Sequence, residues 1–293
     1  MAKISVVTPV GSAFDTVKRI LFQPFEITKW FGMGFTAWIA TLTEGFGSGF
    51  SGFNSGNQNI KEMPEQILPW IQSHLALLIC SGVVLFLIII AISLVVNWIS
   101  SRGKFMFLDN VVKNRGEIKE PWKHYKTQGN SYFLFSICFG LASIAATLIS
   151  IAICVAVALP NIIAQNFGFN AIAAIILGVF FIFGIGLVNG CVYVFLHDFI
   201  APLMMLRSCR VLAAFSIFFS LFKATPGIFI LYLLFRFVLS VAIASISSLL
   251  CCLLCCTVLL PYLGAVILLP LHVFWRSYSV HFLAQFGEDY QLL

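Results

Sequence analysis

The sequence predicts an all-α integral membrane protein, and three observations lead to this fold class. Of the 293 residues, 60% are hydrophobic and only 10% are charged, whereas a soluble domain has about 25% charged residues. The apolar residues fall in long runs, several of which reach the roughly 20 residues that a helix needs to cross a hydrocarbon core. The ten-residue alternation typical of outer-membrane barrels is not found in the sequence.

Six apolar segments are predicted to span the membrane: 30–44, 74–99, 131–160, 169–197, 226–259 and 261–284. The first is short, so it is interpreted as either a span or a re-entrant segment. It is followed by a stretch rich in Gly, Ser and Asn, and we expect 45–73 to form a flexible outer loop.

Three segments between the spans are predicted to be interfacial elbow helices: 10–28, 102–130 and 198–225. The segment 198–225 is apolar enough to span, but it carries Arg207 and Arg210 near its middle. Each arginine at mid-bilayer costs about 2.5–3.5 kcal/mol on insertion scales. An interfacial position therefore explains this segment better than a seventh span.

An internal repeat of about 95 residues accounts for this order of segments. Phe105 aligns with Phe199, Trp122 with Phe218, and Ser131 with Gly227. The offset between the members of each pair stays close to 95 residues, which is the pattern of tandem units. Each unit is predicted to run span, elbow, span, and the six spans place both termini on the elbow side.

The charge distribution predicts the orientation. With this arrangement all Lys and Arg residues lie on the elbow side except Lys61, which is on the opposite side, and Arg236, which is within a span. Because cytoplasmic loops carry an excess of Lys and Arg, the elbows and both termini are predicted to be cytoplasmic. The protein is accordingly expected in the cytoplasmic (inner) membrane. If 198–225 crossed the membrane, Lys223 would face outwards.

Ionisable residues at membrane depth are the first candidates for a functional site. Arg236 and His272 lie inside the fifth and sixth spans and are predicted to form an intramembrane polar site. Alternatively, Arg236 reaches the interface along its own long helix. A second candidate is an inner-surface cluster of four side chains, acting either as structural ion pairs or as a proton relay: His197, Asp198, Arg207 and Arg210.

The first elbow is the third candidate, because its cations suit anionic lipid headgroups. These are Lys113, Arg115, Lys119, Lys123 and Lys126. The same composition is also ordinary for a cytoplasmic loop. In the fourth span, Asn189 is expected to hydrogen bond to a neighbouring helix, and Gly186 with Gly190 predicts a close helix contact.

The sequence contains no P-loop, nucleophile elbow or HExxH motif. No catalytic residue, metal ligand, cofactor or nucleic-acid partner is predicted. A lipid-modifying enzyme would need His124, His197, Asp109 and Asp198 to converge near the inner surface.

Two motifs carry a resemblance to known sequences: FQPFEITKWFGMGFTAWIA at 22–40 and FMFLDNVVKNRGEIKEPWKHYKTQGNSYFLFS at 105–136. They resemble an uncharacterised bacterial multi-pass membrane family. They are also loosely similar to the membrane domain that precedes some glycerophosphodiester phosphodiesterases. The resemblance implies a membrane module without catalytic residues.

The leading hypothesis is a non-enzymatic multi-pass protein that binds lipids or partner membrane proteins. Two alternatives remain open at this point. One is a transporter or channel with a polar site at Arg236 and His272. The other is a lipid-modifying membrane enzyme.

Overall fold

The fold was analysed in a computed structural model that describes residues 4–50, 74–163, 166, 168–253 and 260–293. All regular structure in these residues is helical, which confirms the all-α class. The helices are α1 (Thr8–Val17), α2 (Ile27–Phe50), α3 (Leu75–Val112), α4 (Lys119–His124), α5 (Lys126–Ile163), α6 (Phe169–Phe195), α7 (Ala201–Leu206), α8 (Val211–Ala224), α9 (Pro226–Leu253), α10 (Pro261–Ile267) and α11 (Leu269–Ala284). Residues 51–73 of the predicted flexible loop 45–73 lie outside the described residues.

Two π-helical turns interrupt this order. One, Lys18–Phe22, extends α1, and the other, Leu196–Ile200, joins α6 to α7. The backbone stays helical through the second turn, so α6, the turn and α7 form one segment from Phe169 to Leu206.

Four described segments are long and apolar enough to cross a membrane: Leu75–Val112, Lys126–Asn161, Phe169–Leu206 and Pro226–Leu250. Their most apolar parts are almost entirely unburied, with side chains such as Leu85, Ile149 and Ile182 exposed. An apolar surface of this extent is typical of helices that face lipid. The chain is therefore treated as a membrane protein.

Two of the predicted elbows begin inside continuous helices. The elbow 102–130 was expected to leave the span at Arg102, but α3 continues without a break to Val112 and is buried from Ser100 to Val111. The elbow 198–225 was expected to begin at Asp198, but the helix continues to Leu206. In both cases the polar residues that suggested an end have protein partners in place of water.

Both of these long segments end in the same geometry. Asn114 and Ser208 have positive φ angles of 52° and 49°. In each turn, the N–H of the next residue donates to a carbonyl five residues back: Arg115 to Asn110 at 3.1 Å and Cys209 to Met204 at 3.2 Å. This is the Schellman arrangement, which satisfies carbonyl groups at a helix end. It turns the chain sharply after α3 and after α7.

The first and the sixth predicted spans differ in surroundings from the others. The segment 261–284 is broken between α10 and α11, and Pro270 lies in the first turn of α11. Helix α11 is largely buried, with Tyr278, Val280 and Phe282 fully inaccessible. The predicted span 30–44 lies within α2, which packs against α3 and α10.

The core lies at one end of the helices, where α1, the end of α3, α7, α8 and α11 meet. Its centre is a group of stacked and edge-on rings: Phe199, Phe218, Phe229, Tyr232 and Phe282. Helices α2 and α3 approach closely at Gly103, where an added Cβ would lie 2.9 Å from the backbone nitrogen of Ala40. This core holds the π-turn and the neighbouring charged side chains in place.

Candidate functional site

The Asp198 carboxylate is almost fully buried and lies in the π-turn between α6 and α7. Its Oδ2 atom is 2.6 Å from Nε of Arg236 and accepts a hydrogen bond from the Tyr232 hydroxyl at 2.8 Å. Its Oδ1 atom is 2.9 Å from Nδ1 of His197. Single π-turns inside α-helices are frequent at functional sites, and here the turn brings two successive polar side chains into the core.

Arg236 lies on α9, and its guanidinium also covers the ring of Trp275 at 4.7 Å. This arginine was predicted to share a polar site with His272. Both residues interact electrostatically with Glu44, but no hydrogen bond or ion pair joins them in the part of the chain that the structure describes. The contact of Arg236 is instead with Asp198, which was assigned to a different predicted cluster.

The predicted inner-surface cluster is only half assembled. His197 and Asp198 are in contact, whereas Arg207 and Arg210 are exposed. Arg207 approaches only Asp289, at 3.9 Å. The two arginines follow the helix end after α7 and therefore lie outside the core.

Arg276 was not recognised as a site residue, although it is 1% exposed and is the largest fully buried side chain. It donates hydrogen bonds to the carbonyl of His197 at 2.6 Å and to that of Lys104 at 3.3 Å. The guanidinium thus links α11 to α3 and to the π-turn. Its position within the aromatic stretch Trp275 to Tyr278 is the signal that could have identified it.

A cavity of about 530 Å³ lies between α2, α3, α5 and α6, and we name it the polar chamber. Its polar lining consists of Thr43, Glu44, Asn97, Lys104, Tyr132, Ser136, Ser143, Asn189 and Tyr193. The Lys104 side chain is buried, and its Nζ atom donates to the Tyr132 hydroxyl at 3.4 Å. The same atom lies 5.2 Å and 5.6 Å from the ring centres of Tyr132 and Tyr193. The Tyr193 hydroxyl donates to Glu44 at 2.5 Å.

Two apolar cavities continue from the chamber along the contact between α5 and α6, and together they form the α5–α6 groove. Their volumes are about 370 and 390 Å³. The first shares Phe139, Ser143 and Asn189 with the polar chamber. The second adjoins the first and extends to Cys154. Polar and apolar compartments therefore meet at one point.

The two predictions for the fourth span have opposite outcomes. Asn189 donates to the Ser143 hydroxyl at 2.8 Å, which confirms the hydrogen bond between helices. The close contact at Gly186 and Gly190 is wrong, because an added Cβ at either position would have no neighbour within 4 Å. The same is true of Gly184, which lines the groove. The small residues here leave space between the helices.

The predicted anionic-lipid contact divides into two groups. Asp109 is fully buried, and its carboxylate contacts Lys113 at 2.8 Å, Arg115 at 2.8 Å and the Tyr125 hydroxyl at 3.0 Å. The hydrogen bonds that Arg115 donates to Asp109 and Glu120 raise the pKa of its guanidinium, and the bond to Arg115 lowers the pKa of Glu120. Lys113 and Arg115 therefore neutralise acids of the same region, Asp109 and Glu120.

The other three cations, Lys119, Lys123 and Lys126, are exposed, and no ion pair to them is found among the described residues. They surround Trp122, which contacts the guanidinium of Arg102. This group therefore remains accessible to a membrane surface.

The four residues that an enzyme would need do not converge. Asp109 lies in the loop cluster and Asp198 in the π-turn, and His124 packs edge-on against Tyr125. Within the described ranges, no three His, Cys, Asp or Glu side chains come together in a way that could hold a metal ion.

Comparison with known families shows which family the chain belongs to. Residues 4–269 match a family described as a family of unknown function, DUF7544. The chain belongs to the DUF7544 family. The match agrees with the predicted resemblance to an uncharacterised family and shows no link to glycerophosphodiester phosphodiesterases. No curated protein and no solved structure matches the chain. The DUF7544 match includes the polar chamber and Arg236, whereas Arg276 lies after its last residue.

Proposed function

We propose that this DUF7544 protein is a non-enzymatic, multi-pass protein of the inner membrane that binds a lipid molecule. The acyl chain occupies the α5–α6 groove and the headgroup occupies the polar chamber. The observation that carries this proposal is the junction at Phe139, Ser143 and Asn189, where the apolar groove opens into the chamber. A site with an apolar body and a few polar groups at one end suits an amphiphile.

The dimensions of the groove support an acyl chain as its occupant. From Ser143 to Cys154 the groove follows α5 for about 16 Å at 1.5 Å per residue. Its lining is almost wholly apolar, with Ala142, Phe181 and Ile185 among its residues. In a membrane such a space is open to lipid, and filling it with a chain restores the contacts that a void lacks.

The positions of the charges support binding over transport or catalysis. Neither Arg236 nor His272 is among the residues that line the polar chamber. Asp198 contacts Arg236, Tyr232 and His197, so its carboxylate is occupied by protein groups. A transport site in which Arg236 and His272 bind the substrate would require these contacts to break.

The proposed topology has six spans in tandem units, with the elbows and both termini in the cytoplasm. Two features support it. The segments Leu75–Val112 and Phe169–Leu206 both have 38 residues and begin 94 residues apart, and both end in the same Schellman turn. The exposed cations Lys119, Lys123 and Lys126 lie just after the first of these turns, as cytoplasmic residues would.

A photoactivatable phospholipid tests the proposed lipid site. The protein is placed in lipid nanodiscs containing a phospholipid with a diazirine on one acyl chain, and the labelled peptides are mapped by mass spectrometry after illumination. We expect labelling concentrated on 142–154 and 178–188, the two walls of the groove.

The variant Gly184→Leu provides the discriminating arm. Its new side chain enters the groove, where an added Cβ would meet no neighbour within 4 Å, so the fold has room for it. The matched control Gly190→Leu lies on the same helix, is equally unobstructed, and lies outside the groove. Loss of labelling in Gly184→Leu alone supports the site. Labelling that is uniform over all helices and equal in both variants contradicts it.

A further inference from the structure

Lys104 and Asp198 occupy equivalent positions in the two long helical segments. Lys104 lies eight residues before the end of α3 at Val112, and Asp198 lies eight residues before the end of α7 at Leu206. Each contacts a tyrosine hydroxyl on the second helix after the turn: Lys104 contacts Tyr132 on α5, and Asp198 contacts Tyr232 on α9. Counted from the start of the helix, the two tyrosines have the same position, since each is the seventh residue of α5 or α9.

The two positions differ in how their charge is neutralised. The Asp198 carboxylate has an internal counter-ion, Arg236, which is the eleventh residue of α9. The eleventh residue of α5 is Ser136, a small neutral side chain that lines the polar chamber. Lys104 makes no salt bridge within 4 Å to an acid that the structure describes, and its electrostatic counterpart in the same chamber is Glu44. The polar chamber therefore lies at the position in the first half of the protein where the second half has the counter-ion Arg236.

The charged groups in and around the chamber sum to a net positive charge. The chamber itself is lined by one cation, Lys104, and one acid, Glu44. The adjoining π-turn cluster adds the pair of Arg236 and Asp198 and the buried Arg276, which donates to the carbonyls of His197 and Lys104. With the histidines neutral, one positive charge remains. A buried charge without a partner is costly, so a ligand with one negative charge stabilises this arrangement.

We infer that the polar chamber binds the singly charged phosphodiester of a phospholipid headgroup, with Lys104 as its counter-ion. This inference rests on the proposed lipid site and specifies its headgroup. Lys104 is a suitable phosphate ligand because an ammonium group has three donors. One of them is directed at the Tyr132 hydroxyl, at a long 3.4 Å, which leaves two for phosphate oxygens. Glu44 in the same cavity disfavours a group with two negative charges.

Native mass spectrometry of the purified protein in detergent tests this inference. Three probes are compared: phosphatidylglycerol, a diacylglycerol with the same acyl chains, and inorganic phosphate. We expect phosphatidylglycerol to bind at least tenfold more tightly to the wild type than to Lys104→Met. Diacylglycerol should bind equally to both, because it has no phosphate. The control Lys223→Met removes an exposed cation of α8, away from the chamber lining, and should leave phosphatidylglycerol binding unchanged.

A second variant keeps the test decisive if Lys104→Met does not fold. Ser136→Asp introduces an acid at the position equivalent to Arg236 and gives Lys104 an internal partner. We expect it to raise the melting temperature and to lower phosphatidylglycerol binding at least tenfold, with diacylglycerol binding retained.

The possible results distinguish the headgroup inference from the proposed lipid site. If phosphatidylglycerol and diacylglycerol both bind and neither variant changes their ratio, the headgroup inference is overturned while the lipid site stands. If neither lipid binds, both are overturned. Binding of inorganic phosphate without either lipid identifies a free-anion site and also overturns the lipid headgroup.

Discussion

Asp198 and Arg236 lie on different helices with 37 residues between them in the chain, yet their Oδ2 and Nε atoms are only 2.6 Å apart. Each would be expensive alone at membrane depth. Together, with the Tyr232 hydroxyl on the same carboxylate oxygen, they form a neutral unit that joins the π-turn to α9. The ion pair therefore explains how two largely apolar helical segments can each carry a buried charged residue.

Removing one partner of this pair should destabilise the fold strongly. Asp198→Asn leaves Arg236 without its counter-ion in a largely buried position. Breaking a buried pair in this way costs about 3–5 kcal/mol. The free energy of unfolding, measured by titration with SDS in mixed micelles, should fall by an amount in this range.

The double variant Asp198→Asn with Arg236→Gln is the control for the pair. It removes both charges, so its destabilisation should be smaller than the sum of the two single effects by more than 1 kcal/mol. Additive losses would show that the two side chains act independently and would contradict the ion pair.

A second prediction concerns Arg102, which links α3 to α4 and α5. Its guanidinium lies 4.3 Å from the ring centre of Trp98 and 5.0 Å from that of Trp122, and it donates twice to Asn130. Lysine cannot reproduce a planar group that stacks and donates in parallel. Arg102→Lys should reduce the free energy of unfolding by about 1–2 kcal/mol.

Arg207→Lys serves as the matched control for Arg102. Its only ion pair is a 3.9 Å approach to Asp289 with both side chains exposed, and such pairs contribute about 0–1 kcal/mol. The same unfolding titration should show no change for this variant. Equal losses in both variants would exclude a special role for the tryptophan contacts.

The sequence predicted the helical class because apolar runs of this length have few other solutions. It did not predict that the helices continue into the elbow segments, because polar residues were interpreted as facing water. Arg102, Lys104 and Asp109 are all buried, and each has a protein partner from a residue 4 to 28 positions further along the chain: Asn130, Tyr132 and Lys113. A hydropathy pattern shows that a residue is polar, but it contains no information on where its partner lies.

The site was predicted in fragments for the same reason. Arg236 and Asp198 were each identified as candidates, but their pairing depends on the π-turn, which rotates the chain after Phe195 and has no signature in the sequence. The polar chamber was missed because its members come from four helices. The offset of about 95 residues was visible in the sequence, and the equivalence of Lys104 and Asp198 follows from it only once the helix ends are known.

A third prediction concerns the crossing of α2 and α3. An added methyl group at Gly103 would meet the side chain of Ile39 and lie 2.9 Å from the backbone nitrogen of Ala40. Forcing such groups apart costs about 1–3 kcal/mol. Gly103→Ala should therefore lower the free energy of unfolding by that amount. Gly82→Ala on the same helix, where an added Cβ has no neighbour within 4 Å, should cause no loss. A stable Gly103→Ala protein would show that the two helices can separate without cost.

The fourth prediction concerns the orientation of α8. This helix has 14 residues, Val211–Ala224, and measures about 21 Å at 1.5 Å per residue. A hydrocarbon core of about 30 Å is too thick for it to cross. Val211, Ala214 and Phe218 pack into the core, which holds the helix beside the elbow end of α3 and α7. Lys223 at its end should therefore lie on the same side as Lys123.

Labelling of single cysteines measures this directly. In a protein whose nine cysteines are replaced, Lys123→Cys and Lys223→Cys are treated in intact spheroplasts with a maleimide that does not cross membranes. Neither should react until the membrane is permeabilised, whereas Lys61→Cys should react at once, because the sorting of cations places it opposite. Reaction of Lys223→Cys before permeabilisation, with Lys123→Cys protected, would require a crossing between α7 and α9 and would invert the C-terminal half. Such a crossing would begin α9 on the side opposite to Asp198, although Tyr232 and Arg236 near the start of α9 contact that residue.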